Sequence, residues 1–191
     1  MLFRSAKGDT KNVIATSGPS PSFARFGSSN RADAYQSVGF GATTDAVFLP
    51  AFAGGDGSLH LTTAYGVRGA FNHNWDPYWS TSVFGSYSAV RYDDTAKANF
   101  CAVYTPGKAV SADFVCNTDF DVSMLGAVTR WTPVKNLTFS AEVLWWHLDQ
   151  KFAGTAALTP AAPKPGAAQG ARYEYKDQDM FSLNIRAQRN F

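Results

Sequence analysis

The feature that most constrains this chain is a two-residue alternation of apolar and polar side chains, held over stretches longer than ordinary globular strands. It is clearest at the carboxyl end, where Phe181, Leu183, Ile185, Ala187 and Phe191 alternate with Ser182, Asn184, Arg186, Gln188 and Asn190. A second strand sets Phe120, Val122, Met124, Gly126 and Val128 against Asp119, Asp121, Ser123, Ala127 and Thr129, with Leu125 interrupting the polar side. A third carries Leu137, Phe139, Ala141, Val143 and Trp145 opposite Thr138, Ser140 and Glu142. Its far end, Leu144, Trp146 and Leu148, is a second apolar patch, expected where a strand lies under a folded-in loop or is covered on both faces. Upstream, Leu59 to Phe71 alternates with His60, Thr62, Arg68 and Asn72, and Trp79 to Tyr87 with Ser80, Ser82, Ser86 and Ser88. With a weaker strand from Tyr35 to Phe48, the expectation is about six strands of roughly 12 to 14 residues, whereas a globular strand has about 5 to 6. A tilted strand crossing a bilayer needs about 9 to 11 residues.

Connections between these strands alternate in length. Asn74 to Pro77 and Thr132 to Lys135 are tight turns, whereas Asp93 to Asn117 and Lys151 to Tyr175 are long and irregular. Sorting of loop lengths by end is the pattern of an antiparallel transmembrane β-barrel, with short periplasmic turns and long extracellular loops. Trp75, Tyr78, Trp79 and Trp131 then fall at the short-turn edge as an aromatic girdle. Arg130 and Arg189, read on the apolar sides of their strands, lie near the same edge, where long side chains reach water. The rival architecture is a secreted or periplasmic all-β binding module of jelly-roll type, in which the apolar faces pack together as a core. No stretch approaches the roughly 20 apolar residues of a spanning helix. The mean hydropathy of -0.19 fits a membrane barrel too, because lumen-facing polar residues cancel lipid-facing apolar ones. Residues 1–34 lack an apolar period and read as loop or disorder, leaving 35–191 for the strands.

A net charge of +2 is too balanced for a nucleic-acid surface. Cys101 and Cys116, both in a polar stretch, suggest a loop-closing disulfide of an oxidising compartment, the alternative being two unrelated free thiols. His60, His73 and His147 show no metal-ligand spacing, and neither a nucleophile elbow nor a phosphate loop is present, so neither an enzyme nor a cofactor is expected. The amino-terminal residues lack the apolar core of a secretory signal. An exported protein needs one, so either the chain is soluble or it is a fragment whose start lies upstream.

The terminal Phe191 preceded by Leu183, Ile185 and Ala187 resembles the carboxyl-terminal signal read by the outer-membrane assembly machinery, with Arg189 departing from it. Tyr65-Gly66-Val67-Arg68-Gly69-Ala70-Phe71, Asn72-His73-Asn74-Trp75, Thr129-Arg130-Trp131-Thr132-Pro133 and Asn184 to Phe191 together resemble the general porins of rhizobia and related alphaproteobacteria. The cysteine pair matches a loop of those porins. The resemblance, over about 35–191, implies a homotrimer of barrels in the outer membrane, of about 16 strands each. They are passive diffusion channels for ions and small hydrophilic solutes, with a constriction loop that has no counterpart here. With about six strands of 16, the resemblance implies that the chain is a carboxyl-terminal portion, and six strands alone would leave unpaired edges facing lipid. On the strand phases above, Arg68, Asp121, Glu142 and Arg186, with His60, Ser82 and Asn184, are the expected pore-lining residues; simple solvated wall positions are the alternative.

Overall fold

The computed structural model describes residues 1–14, 22–157 and 170–190. In chain order its elements are β1 (Leu2–Lys7), β2 (Ser22–Gly27), β3 (Gln36–Ala42), β4 (Ala46–Phe48), β5 (Leu59–Leu61), β6 (Thr63–Asn74) and β7 (Trp79–Arg91). There follow α1 (Asp94–Tyr104), β8 (Phe120–Val134), β9 (Leu137–Gln150), β10 (Thr155–Ala157), β11 (Arg172–Tyr175) and β12 (Gln178–Arg189). Among the described residues the chain is all-β apart from α1 and one 3-10 turn.

The largest unit is an antiparallel six-stranded sheet in the order β1-β6-β7-β8-β9-β12. Five of these strands are those expected from the alternation. The sixth is β1, not the Tyr35–Phe48 stretch, which forms β3 and β4 outside this sheet. The reading of residues 1–34 as loop is therefore corrected by β1 and β2. The signal was hidden because β1 carries Leu2, Arg4 and Ala6 on one face and Phe3, Ser5 and Lys7 on the other, so neither face is uniformly apolar.

Two tight turns set the hairpins. Asp76 Oδ1 accepts hydrogen bonds from the backbone N–H of Tyr78 (2.7 Å) and Trp79 (2.8 Å), closing the β6–β7 turn. Between β8 and β9, Asn136 takes the left-handed conformation (φ 68°) that the two-residue connection demands and asparagine tolerates. At the other end, α1 starts where Asp93 Oδ1 accepts from Ala96 N at 2.8 Å and stops before Pro106 and Gly107, which cannot continue it.

Residue partners across the ladder define two faces. One bears Phe71, Val83, Leu125, Val143, Leu183 and Ile185, all exposed and, among the described residues, without a second layer over them. The jelly-roll alternative requires such a face to be buried against another sheet. Along β12 the charge-free band runs between Asp179 and Arg189, about 33 Å of strand and about 25 Å of height once tilted by about 40°. That is the height of the apolar band of a membrane barrel.

The opposite face changes character along its length. Near the short turns it is polar and open. Toward the long loops it is apolar, with Ala64, Val90, Phe120, Val122, Trp146 and Leu148 buried beneath Val13, Ile14, Ala42 and Val47. The patch at Leu144, Trp146 and Leu148 is thus a strand end under a folded-in segment. Of the two explanations expected for that patch, the folded-in segment is the one found. The cover includes a four-stranded sheet, β10-β11-β3-β2, in which β11 and β3 are parallel.

Polar ties replace ladder pairing between cover and wall. Buried Gln150 of β9 accepts from Phe40 N (2.9 Å) and donates to Val38 O (3.0 Å), while buried Gln178 of β12 donates to Ser37 Oγ (3.0 Å). Tyr92 Oη donates to Ala42 O at 2.6 Å. A second core, of Val38, Phe152, Tyr173 and Tyr175 with Phe40, Phe100 and Tyr104 packed on it, joins α1 to this smaller sheet. The long stretches 93–117 and 151–175, expected to be irregular, carry α1, β10 and β11 among their described residues.

Cys101 of α1 is bonded to Cys116, closing the loop that leads into β8. Its sequence separation of 15 residues corresponds to about 3 kcal/mol of loop-closure stabilisation. Cys101→Ser is expected to remove about that much, seen as faster proteolysis between Pro106 and Phe114 in the variant. Unchanged cleavage would mean that the aromatic core holds the loop without the bond.

Candidate functional site

The open half of the polar face is built in rows. Ser80, Arg130, Ser140 and Arg186 are partners across four adjacent strands. The next row toward the loops is Asn72, Ser82, Val128, Glu142 and Asn184. Arg68 lies further up, opposite Ser86 and Leu2. A concavity of about 620 Å³ lies over the first two rows, lined by Arg130, Ser140, Glu142, Asn184, Arg186 and Gln188 among others. Arg130 Nη1 donates to Ser82 Oγ at 2.9 Å, Ser82 Oγ donates to Asn72 Oδ1 at 2.7 Å, and Asn184 Nδ2 donates to Glu142 Oε1 at 3.4 Å.

Five of the seven residues singled out from the sequence, Arg68, Ser82, Glu142, Asn184 and Arg186, share this face. Asp121 does not. It is the partner of Ala89 and Asp149 on the exposed apolar side, at the long-loop edge, and pairs with Arg91 at 2.6 Å. The phase of β8 was inverted because Phe120 and Val122, read as lipid-facing, are apolar for a different reason: they pack against the cover. The same inversion misplaced Arg130, which belongs to the polar face and lines the concavity. The signal that could have found it is Trp131, whose aromatic ring fixes the outward phase one residue away.

His60 is also elsewhere, on β5, which pairs with β4. Its Nε2 lies 2.8 Å from Asp56 Oδ2 and its Nδ1 3.2 Å from Asp93 Oδ2. Two carboxylates on the two ring nitrogens hold the imidazolium form, and the Asp56 contact foremost raises its pKa above the ordinary histidine value. Because the folded value is raised, this contribution is fully present below the ordinary pKa of about 6.5 and is lost as pH rises through the raised one. A His60 NMR titration is expected to show a midpoint above the ordinary value, returning toward it in Asp56→Asn. A midpoint at or below the ordinary value would refute the clasp.

At the short-turn edge Trp79 and Trp131 stack with centroids 5.7 Å apart, and Trp131 stacks on Phe139 at 5.6 Å. Trp75 and Tyr78 are exposed beside them, so the expected girdle residues share one edge. Leu183 and Ile185 project from the exposed apolar face and Ala187 shares it, while Phe191 lies outside the described residues. Among the described residues no group of three or more histidine, cysteine or acidic side chains is placed to hold a metal.

The sequence profile of a family described as the porin subfamily matches residues 14–184, most of the chain and more of its amino-terminal part than the resemblance covered. No curated protein and no solved structure matches the chain.

Proposed function

This chain belongs to the porin subfamily, and on that premise we propose that it supplies part of the wall of a water-filled outer-membrane channel through which ions and small hydrophilic solutes diffuse passively. The observation that carries the reading is the two-faced six-stranded sheet. One side is an uncovered apolar band about 25 Å high, and the other is polar and open near the short turns and covered toward the long loops. A soluble module would bury the first face; a channel wall presents it to lipid and keeps the second wet.

In this reading Arg68, Ser82, Glu142, Asn184 and Arg186, joined by Arg130, line the lumen, and the cover over Trp146 and Leu148 narrows it at the extracellular end. Among the described residues β1 and β12 each have one edge without a strand partner. An unpaired edge in lipid costs several kcal/mol for each unsatisfied backbone group. Further strands therefore complete the wall, and the whole barrel assembles as a homotrimer, placed by machinery that reads Leu183, Ile185, Ala187 and Phe191. The motifs that resemble rhizobial general porins lie within the residues matched by the family up to Asn184.

Solute passage tests this directly. Proteoliposomes carrying the completed barrel are expected to swell in small sugars and to stay unswollen in large ones, and the protein is expected to fractionate with outer membrane. Recovery as a soluble periplasmic protein would end the channel reading.

A further inference from the structure

We propose that this wall favours anions, with Arg130 and Arg186 as the residues that set the preference and Arg68 extending it toward the loops. The inference rests on the channel reading above and adds to it the charge class of the solute. Across the polar face of the six strands the charged residues are Arg4, Arg68, Arg130 and Arg186 against Glu142 alone.

Excess positive charge would mean little if each guanidinium were neutralised where it stands, as two are elsewhere in the chain. Arg31 binds Asp33 at 3.0 Å and Asp113 at 2.6 Å, and Arg91 binds Asp121 at 2.6 Å. On the polar face the pattern is different. Arg130 bonds a serine hydroxyl, Glu142 is bonded by Asn184, and Arg68 and Arg186 have no ion pair among the described residues.

Position strengthens the argument. Arg130 and Arg186 stand in one row, separated only by Ser140, so their Cα atoms are about 10 Å apart. Both line the same concavity as Glu142, which leaves that concavity one positive charge in excess. At about 8 Å in water one unit charge changes the local concentration of a monovalent ion about twofold, in opposite senses for anion and cation. The charges lie in open, wet surroundings, so the preference weakens as salt rises.

The test uses the full chain, refolded in detergent and inserted in planar bilayers under a potassium chloride gradient. The zero-current potential is expected to have the sign of chloride preference, with a permeability ratio above about twofold, and to move toward potassium in the Arg130→Glu, Arg186→Glu double variant. Potassium preference in the original protein, or a ratio unmoved by the double substitution, overturns the proposal while leaving the channel intact. Absence of any conductance instead counts against the channel reading for this chain alone, and a second readout then decides the anion question. Phenylglyoxal modification followed by mass spectrometry is expected to be slowed by sulfate at Arg130 and Arg186 and not at ion-paired Arg31. Equal rates with and without sulfate at all three overturn it.

Discussion

Replacing Val143 by arginine is expected to destabilise the protein in lipid by about 2–4 kcal/mol, whereas Ser140→Arg, three residues away on the other face, is expected to cost under about 1 kcal/mol. Val143 is 55% exposed, sits opposite Ala127 and Leu183, and lies near the middle of the charge-free band. In the channel reading an arginine there meets hydrocarbon, and it has no carboxylate in its row. Ser140 stands between Arg130 and Arg186 over the polar concavity, where a further guanidinium stays hydrated and meets only like-charge repulsion. Urea titrations of both variants folded into lipid vesicles measure the difference. Small and equal losses would mean that the exposed apolar face does not meet lipid, and a soluble assembly with that face buried between protein layers would become the better account.

The contrast between these two positions explains how much of the fold could be read from residue order. Period-two alternation located five of the six strands of the main sheet because each carries an apolar side and a polar side over much of its length. On β12 Phe181, Leu183, Ile185 and Ala187 keep to one face of the ladder, so a single phase describes that stretch. On β8 no single phase does. Its loop-proximal half is apolar on the side packed under the cover, its girdle half is apolar on the other side, and a single phase fitted to Phe120 and Val122 carries Asp121 to the wrong face. Alternation reports which side is apolar, and on β8 that side changes where the cover begins.

Residues brought together over long sequence distance were less legible. Gln150 and Gln178 look like ordinary polar wall positions, yet they are buried and bind the backbone and Ser37 of β3, a partner more than a hundred residues away. His60 fits the polar phase of its own short strand, but its neighbours Asp56 and Asp93 make it part of a clasp between β5 and the start of α1. In residues 1–48 only the weak alternation from Tyr35 to Phe48 marks the cover, and alternation alone does not tell a cover strand from one of the main sheet. The cover's strands are short, and its apolar residues face a wall that lies elsewhere in the chain.

That cover gives the second large expected effect. Leu148 is fully buried, and β3 approaches it so closely that a Cβ added at Gly39 would lie 2.8 Å from Leu148 Cδ2. Truncating Leu148 to alanine leaves a cavity between wall and cover that the stiff sheet cannot collapse, at an expected cost of about 2–5 kcal/mol. Leu125, on the neighbouring strand but 54% exposed on the outer face, loses almost no protein packing when truncated, and Leu125→Ala is expected to change stability by under about 1 kcal/mol. Denaturant midpoints in one detergent compare the two, and limited proteolysis within residues 36–48 shows whether the cover has come loose. Matching losses for both leucines would place both faces in equivalent surroundings. A large loss at Leu148 with the cover still protected would mean that the polar ties of Gln150 and Gln178, and not apolar packing, hold the inserted segment against the wall.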